Sequence, residues 1–244
     1  MATNRRTTRR SPTAAAADDR ATLAYGTLRD LIVRGWLAPG SRVVETAVAR
    51  RLGISRTPVR SALQRLQQEG YIVLPLERQR QNRAFVAPLT QEDARELFGI
   101  VAEVEGLAAR WAAERPANQR SALAEELETL NRRLVEASRV TRPDQNVLFD
   151  VDSEFHRRYV EGGAGIRLLA LHDAIKPQTE RYIRLYVSVL VDQIGVSVGE
   201  HASIIAAIAE GAPDRAQAAA RTNWHNATSR LARVIEMAVE PASR

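Results

Sequence analysis

The chain has 244 residues, 45% of them hydrophobic, which is enough for two modest domains with real cores. It contains no cysteine, and this excludes disulfides, thiolate metal sites and cysteine nucleophiles. No apolar run is long enough to cross a bilayer, and the start lacks the apolar core of a secretory signal. We therefore expect a soluble cytoplasmic protein with no membrane partner.

Charge is distributed unevenly along the chain. Residues 1–90 contain 16 arginines and 6 acidic residues, whereas residues 91–244 contain 19 basic and 23 acidic residues. The first part is strongly basic and the second slightly acidic, a division typical of a nucleic-acid-binding module joined to a second domain. A solvated basic face would also explain the charge alone.

The first 20 residues are basic and show no hydrophobic periodicity, which predicts a disordered basic arm over residues 1–20. A start that contains arginine and serine and few acids is also found in transit peptides. After the arm, helical spacing of apolar residues predicts a first helix over about 22–35. A turn follows at Ala38-Pro39-Gly40.

Two further helices and two strands complete the predicted N-terminal domain. A short helix from Glu45 to Leu52 ends at Gly53, and a third helix runs from about Arg56 to Glu69. Strand-like segments at 71–74 and 84–87 flank a polar, basic hairpin. This order predicts a winged helix-turn-helix domain over residues 21–89.

Everything after Thr90 has helical periodicity, and Thr90 itself begins a pattern that resembles a capping box. Pro177 lies within a long helical segment from Ile166 to Val191 and is expected to kink or split it. The predicted fold class is therefore mainly α, with a six- or seven-helix bundle over residues 90–240 following the N-terminal winged helix-turn-helix.

The pair of short helices, VETAVARRLG and ISRTPVRSALQRLQQEGYI, carries the residues that could read DNA. In a helix-turn-helix, the first turn of the second helix contacts base edges in the major groove. Here that turn contains Ser55, Arg56, Thr57 and Arg60. Arginine can bind guanine through two hydrogen bonds, and serine or threonine can bind phosphate or a base. Alternatively, both arginines are ordinary surface residues.

Three histidines and one aspartate have a spacing that is compatible with metal binding. Asp152 and His156 share one helix face, while His201 and His225 lie on the last two predicted helices. Three imidazoles and a carboxylate could meet in a bundle core, where such nitrogen-rich ligation suits Zn or Ni. An Asp-x-x-x-His pair is also common as a surface pair or around a core histidine.

The string LGISRTPVRSALQRLQQEG, with APG before it, resembles the GntR family of bacterial regulators. Residues 90–238 resemble the FCD ligand-binding domain of its FadR-type members. The resemblance implies that Ser55, Arg56, Thr57 and Arg60 contact operator DNA, and that the wing approaches it. The wing is longer than the family pattern and has Arg83 where a glycine is expected. Its candidate contacts are Arg78, Arg80 and Arg83, and we favour Arg83.

The same resemblance implies that a divalent metal is bound by Asp152, His156, His201 and His225, with His172 structural or exposed. Two positions depart from the family pattern, because Val101 stands in place of an arginine and Gly165 in place of an asparagine. The effector pocket is expected to include Arg181, Tyr182 and Arg184, which follow Pro177. We expect the effector to be a small molecule, with an organic acid as one candidate.

The predicted function is that of a homodimeric, sequence-specific transcriptional regulator, acting as a repressor, and not of an enzyme. Two recognition helices reading a palindrome require a two-fold axis. One alternative is a metal-dependent hydrolase with an accessory nucleic-acid-binding domain, although Glu154 lies off the Asp152–His156 face and no other nucleophile or acid stands out. A packaging protein without sequence preference is a third possibility.

Overall fold

The computed structural model describes residues 12–74, 83–189 and 193–239. The chain divides into two compact units, Met1–Pro88 and Leu89–Arg244, so the division falls one residue earlier than the sequence predicted. We call them the N-terminal unit and the C-terminal unit. None of the helices in the described ranges is both long and apolar enough to cross a membrane.

Three helices and a small sheet form the N-terminal unit. In chain order its elements are α1 (Pro12–Val33), β1 (Arg42–Val43), α2 (Glu45–Leu52), α3 (Arg56–Gln68), β2 (Ile72–Val73) and β3 (Ala84–Val86). The strands are antiparallel in the order β1-β3-β2, with Arg42 opposite Phe85 and Ile72 opposite Val86. The predicted three helices and wing strands are thus confirmed, while the wing tip at 75–82 lies outside the described residues.

Helix α1 begins earlier than the sequence predicted. It starts at Pro12, so residues 12–20 are helical where we expected part of a disordered arm. The segment Ala14–Ala17 has no amphipathic pattern, but alanine has the highest intrinsic helix propensity. Proline also fits the first turn of a helix. The rest of the predicted arm, residues 1–11, lies outside the described residues.

The turn between α2 and α3 depends on a glycine. Gly53 has a φ of +64°, and its N–H donates to carbonyl oxygens in the last turn of α2. Residues with a side chain rarely adopt this left-handed conformation, so glycine ends α2 where the sequence indicated. Helix α3 then packs its apolar side, which includes Val59 and Leu66, into the core with Leu28 of α1.

Six helices form the described part of the C-terminal unit, which agrees with the predicted mainly α fold. They are α4 (Gln91–Ala113), α5 (Ala117–Ser138), α6 (Gln145–Gly163), α7 (Ile166–Val189), α8 (Ile194–Glu210) and α9 (Pro213–Val239). The side chain of Thr90 accepts a hydrogen bond from the Asp93 N–H at 3.1 Å, which confirms the predicted cap of α4. Helix α4 packs extensively along α9 and also contacts α6, α7 and α8.

One local feature of α6 and one of α7 accompany their packing against α4. A Cβ atom added at Gly163 would lie 1.9 Å from the Ala108 carbonyl oxygen, so only glycine permits this approach of α6 to α4. Helix α7 continues through Pro177 rather than dividing there. The predicted split is therefore not observed, because packing against α4, α6 and α9 holds the chain helical on both sides of the proline.

Candidate functional site

The start of α3 exposes all four residues predicted to contact DNA. Ser55 precedes the helix in an extended conformation, and its side chain makes no capping hydrogen bond. Arg56, Thr57 and Arg60 are exposed, whereas Pro58 and Val59 between them are buried. Core packing therefore fixes the rotation of α3 and leaves its polar face, with two cationic side chains one turn apart, accessible to a ligand.

A carboxylate from α2 contacts both of these arginines. Glu45 Oε2 accepts from Arg56 Nη2 at 3.2 Å and from Arg60 Nη2 at 3.1 Å, and Glu45 Oε1 accepts from Arg60 Nε at 3.3 Å. The hydrogen bonds from Arg60, and then the single one from Arg56, lower the pKa of the Glu45 carboxyl although burial opposes them. The carboxylate thus links the two guanidinium groups.

Arg83 is the predicted wing residue that the structure describes. It is partly exposed and lies immediately before β3. Arg78 and Arg80 lie outside the described residues.

In the C-terminal unit, three of the four predicted metal ligands lie together. Asp152 and His156 on α6 and His201 on α8 offer ligand atoms within 4.8 Å of one another. His201 Nε2 lies 3.6 Å from Asp152 Oδ1, and the His201 ring stacks on Phe155 at a centroid distance of 3.9 Å. A carboxylate and two imidazoles at this separation could hold one divalent cation.

Hydrogen bonds leave the Nε2 atoms of both histidines available. His156 Nδ1 lies 2.7 Å from Glu105 Oε2, and His201 Nδ1 lies 3.2 Å from Asn131 Oδ1. When Nδ1 donates to an oxygen, Nε2 carries the lone pair that a metal requires. His201 Nε2 is buried without a hydrogen-bond partner among the described residues. This orphaned acceptor fits a metal ligand.

The ionisation tendencies of the cluster also suit a cation. Burial, together with the nearby His156, lowers the pKa of His201 well below its usual value, so its imidazole stays neutral near neutral pH. Burial also raises the pKa of Asp152, a carboxyl that His156 and Lys176 only partly stabilise as an anion. A bound dication would stabilise the ionised carboxylate and use the neutral imidazole.

Behind His156 lies a fully buried carboxylate, Glu105 of α4. It accepts hydrogen bonds or ion pairs from five side chains, namely His156, Tyr159, His172, Lys176 and Trp224. Burial alone would raise the pKa of Glu105, but the charge of Lys176, and then interactions with His156 that include a hydrogen bond, lower it well below its usual value. Glu105 therefore remains an anion and fixes the orientation of His156.

A small cavity adjoins the cluster. It has a volume of about 50 Å³, which is room for a few water molecules at roughly 10–15 Å³ each. Asp152 and His156 form part of its wall, which also includes apolar side chains from α4, α5 and α7. Asn223 and Arg230 of α9 are its other polar lining residues together with Ser197 of α8. Arg230 is held by Glu200 through two hydrogen bonds, at 2.8 and 3.0 Å.

Two family models match this chain. The model described as bacterial regulatory proteins, gntR family, matches residues 21–86, and the FCD domain model matches residues 96–226. The chain belongs to the GntR family of bacterial regulatory proteins and contains an FCD domain. The two matched segments fall within the two units, so Arg56 and Arg60 lie in the GntR segment and the histidine cluster lies in the FCD domain.

Curated relatives of this GntR-family chain are regulators. It is 34% identical over 91 residues to an HTH-type transcriptional regulator in the TAR-I ttuE-ttuC' intergenic region of Agrobacterium vitis, covering 37% of this chain and 50% of the relative. It is 31% identical over 123 residues to the Nta operon transcriptional regulator of Aminobacter aminovorans, covering 50% and 53%. The chain therefore spans about half the length of the curated relatives it matches.

Solved structures show the same fold. McbR/YncC of E. coli matches with a TM-score of 0.66 and 18% identity, covering 88% of this chain and 97% of that protein. A GntR transcriptional regulator from Rhodococcus sp. RHA1 also has a TM-score of 0.66, with 23% identity and coverage of 88% and 98%. At these identities the likeness establishes the fold alone.

His225, the fourth predicted ligand in the FCD domain, is not brought to the cluster. Its side chain is exposed, whereas the preceding Trp224 is buried and donates to Glu105. Consecutive helical residues point about 100° apart, since a turn takes 3.6 residues. The rotation of α9 that buries Trp224 therefore turns His225 to the surface, and the site assembled by the described residues has two histidines rather than three.

The three residues predicted for the effector pocket are not among the described residues that line the cavity; their neighbour Ile183 is. Tyr182 is buried but donates to Asp93 Oδ2 at 2.6 Å and accepts from the Thr90 N–H, so it supports the start of α4. The guanidinium of Arg184 lies over the Phe149 ring at 3.7 Å. Arg181 is buried as well.

The polar residues around the cavity and behind the ligands were missed from the sequence. These are Glu105, Asn131, Lys176, Asn223 and Arg230. Two signals were available for this group. Glu105 interrupts the apolar stripe of α4 between Val101 and Ala108, and Lys176 is the only lysine in the chain. A charged residue in an otherwise buried stripe requires a partner of opposite charge.

Proposed function

We propose that this chain is a sequence-specific DNA-binding transcriptional regulator whose FCD domain senses a small molecule beside a bound divalent metal. One observation carries the DNA-binding part, namely that the start of α3 in a winged helix-turn-helix exposes Arg56 and Arg60 side by side. Guanidinium groups on the first turn of such a helix match the donor pattern that guanine requires. Ser55, Thr57 and Arg83 supply further contacts.

The active species in this proposal is a homodimer acting in the bacterial cytoplasm, because two copies of α3 related by a two-fold axis match a palindromic operator. As a repressor, the dimer would leave its operator when the effector binds. A coupling free energy of about 1–3 kcal/mol between effector and operator sites would change occupancy by roughly 5–150-fold.

For the metal, we propose that Asp152, His156 and His201 bind a dication such as Zn or Ni. Support comes from the spacing of their ligand atoms and from the buried, unpartnered Nε2 of His201. When bound, the metal would supply a Lewis acid that attracts an anionic ligand. The small cavity with Asn223 and Arg230 suits a compact acid better than a bulky one.

No observation favours the hydrolase alternative. Neither matching family model is that of an enzyme, and the relatives reported above are regulators. Glu154, the acidic residue nearest the site in sequence, is exposed and pairs with Arg133 at 3.3 Å. It therefore faces away from the position where a metal-bound water would need a base.

The test of DNA binding begins with selection of duplexes from a random library by the purified full chain. Affinity for the selected duplex is then measured by fluorescence anisotropy for the wild type and for Arg56→Ala. We expect the variant to bind roughly 5–150-fold more weakly, since one good arginine–guanine pair contributes about 1–3 kcal/mol. The control, Arg142→Ala, removes the same charge from an exposed site in the C-terminal unit. Equal losses in both variants, or no enriched sequence, would contradict sequence-specific reading by α3.

A further inference from the structure

Glu45 is placed where it can control both arginines that face DNA. It is the first residue of α2 and lies across the helix-turn-helix corner from Arg56 and Arg60 of α3. Its side chain is only 14% exposed, whereas those of the arginines are 54% and 52% exposed. The carboxylate is therefore the fixed partner and the guanidinium groups are the movable ones.

The geometry of these contacts leaves the arginines able to read a base. Each guanidinium has five N–H donors. Arg56 uses one nitrogen, Nη2, on Glu45, and Arg60 uses Nε and Nη2. On Arg60 the carboxylate occupies the Nε and Nη2 side of the guanidinium group. The Nη1 side therefore remains available to the O6 and N7 acceptors of a guanine. On Arg56 the Nη1 and Nε sides are unused by the carboxylate.

The negative charge of Glu45 also changes how Arg56 and Arg60 interact with each other and with phosphate. Two arginines one turn apart repel each other, and a long flexible cation can reach phosphates in many directions. The shared carboxylate offsets the repulsion and restricts these directions. It also places a negative charge near the DNA-facing surface, which weakens attraction to any phosphate backbone regardless of sequence.

We infer that Glu45 is a positioning residue that raises sequence discrimination, by orienting Arg56 and Arg60 toward bases and by weakening their non-specific attraction to phosphate. This inference rests on the proposed function. It gives Glu45 an effect on the ratio of specific to non-specific affinity, whereas a residue that only stabilised the fold would change both affinities together.

The test compares Glu45→Gln with the wild type on the selected duplex and on a duplex of random sequence, across a salt series. We expect the affinity ratio to fall by about tenfold, because misdirected arginines lose base contacts. We also expect tighter binding to the random duplex and a steeper salt dependence, by up to about 0.9 in logarithmic slope per protomer. An unchanged ratio, or an equal loss on both duplexes, would overturn the inference.

Two further variants separate this outcome from a failure of the proposed function. Asp30→Asn removes one negative charge from an exposed position on α1 that makes no hydrogen bond or ion pair with either arginine, and it should keep the wild-type ratio. The double variant Arg56→Ala/Arg60→Ala should lose the preference for the selected duplex. If it keeps that preference, both the recognition surface and the role of Glu45 are wrong. If the double variant loses that preference while Glu45→Gln keeps the wild-type affinity ratio, only the role of Glu45 is wrong.

Discussion

Two carboxylates that gather cationic or polar donors, Glu45 in the N-terminal unit and Glu105 in the C-terminal unit, differ in burial. Glu45 joins two exposed arginines at the surface of the N-terminal unit, whereas Glu105 is fully enclosed by five donors inside the FCD domain. Ion pairs in water contribute little and exchange readily, while a buried carboxylate cannot lose its partners without a large penalty. The exposed arginines therefore suit the Glu45 cluster to a surface whose contacts can exchange, and burial suits Glu105 to holding a rigid site.

The largest expected effect is on the stability of the FCD domain. Glu105→Gln keeps the side-chain volume but leaves the buried Lys176 without its counter-charge. We expect the free energy of unfolding to fall by about 3–5 kcal/mol, as when one partner of a buried ion pair is removed. Urea unfolding followed by tryptophan fluorescence measures it, since Trp111 and Trp224 lie in this unit. The control Glu154→Gln, which breaks an exposed pair, should cost less than about 1 kcal/mol. Similar losses of unfolding free energy in the two variants would contradict the difference between buried and exposed carboxylates.

Substitutions of His201 and His225 should have different effects on metal affinity. We expect His201→Ala to weaken Zn or Ni binding by more than about 100-fold, which exceeds the usual effect of changing a group that only orients a ligand. His225→Ala should leave affinity unchanged, because that side chain is exposed and outside the cluster. Isothermal titration of metal into the metal-free full chain measures both. Strong loss in His225→Ala would restore the four-ligand site that the sequence predicted.

A smaller effect on metal affinity is expected from changing Asn131, which contacts His201. Asn131→Ala removes the acceptor of the His201 Nδ1–H and frees the ring to adopt its other tautomer. Metal affinity should fall by about 10–100-fold, the usual range for a residue that orients a ligand. The same titration measures this loss, and nitrogen NMR shifts of His201 should show whether the tautomer changes. Wild-type affinity with an altered tautomer would mean that orientation does not limit binding.

The smallest expected effect is the loss, at acidic pH, of the contribution of Glu45 to the free energy of unfolding. Its pKa is lowered in the folded chain, so its contribution to stability is present above the ordinary value of 4.5 and is lost as the pH falls through the lowered one. Exposed pairs contribute roughly 0–1 kcal/mol. The difference in unfolding free energy between wild type and Glu45→Gln should therefore be at most about 1 kcal/mol near neutral pH and should shrink on acidification. A difference that grows in acid would contradict the ionised Glu45 contact.

Local signals in the sequence were enough for much of the fold. Gly53 and Thr90 mark helix ends through backbone conformation and capping, both of which act within a few residues. The exposed face of α3 could also be predicted, because Val59 and Leu66 define its buried side. The start of α1 could not, since the alanine run is helical by propensity and has no periodic pattern.

The positions of the residues predicted to bind a metal or an effector were harder to predict, because they depend on how the helices rotate against one another. His225 and Trp224 are neighbours in sequence, and packing alone decides which of them faces the core. Arg184 likewise follows Pro177 by seven residues but lies over Phe149 rather than lining the cavity. The proximity of Asp152 and His156 could be predicted, because the two residues share one helix face whatever the rotation of that helix.

The most direct test of DNA reading by α3 is a structure of the full chain bound to the selected duplex. We expect the start of α3 to lie in the major groove, with Arg56 or Arg60 within about 2.7–3.2 Å of guanine acceptors and Glu45 still contacting their guanidinium groups. A complex in which this end of α3 faces solvent, with both arginines away from the duplex, would contradict the account.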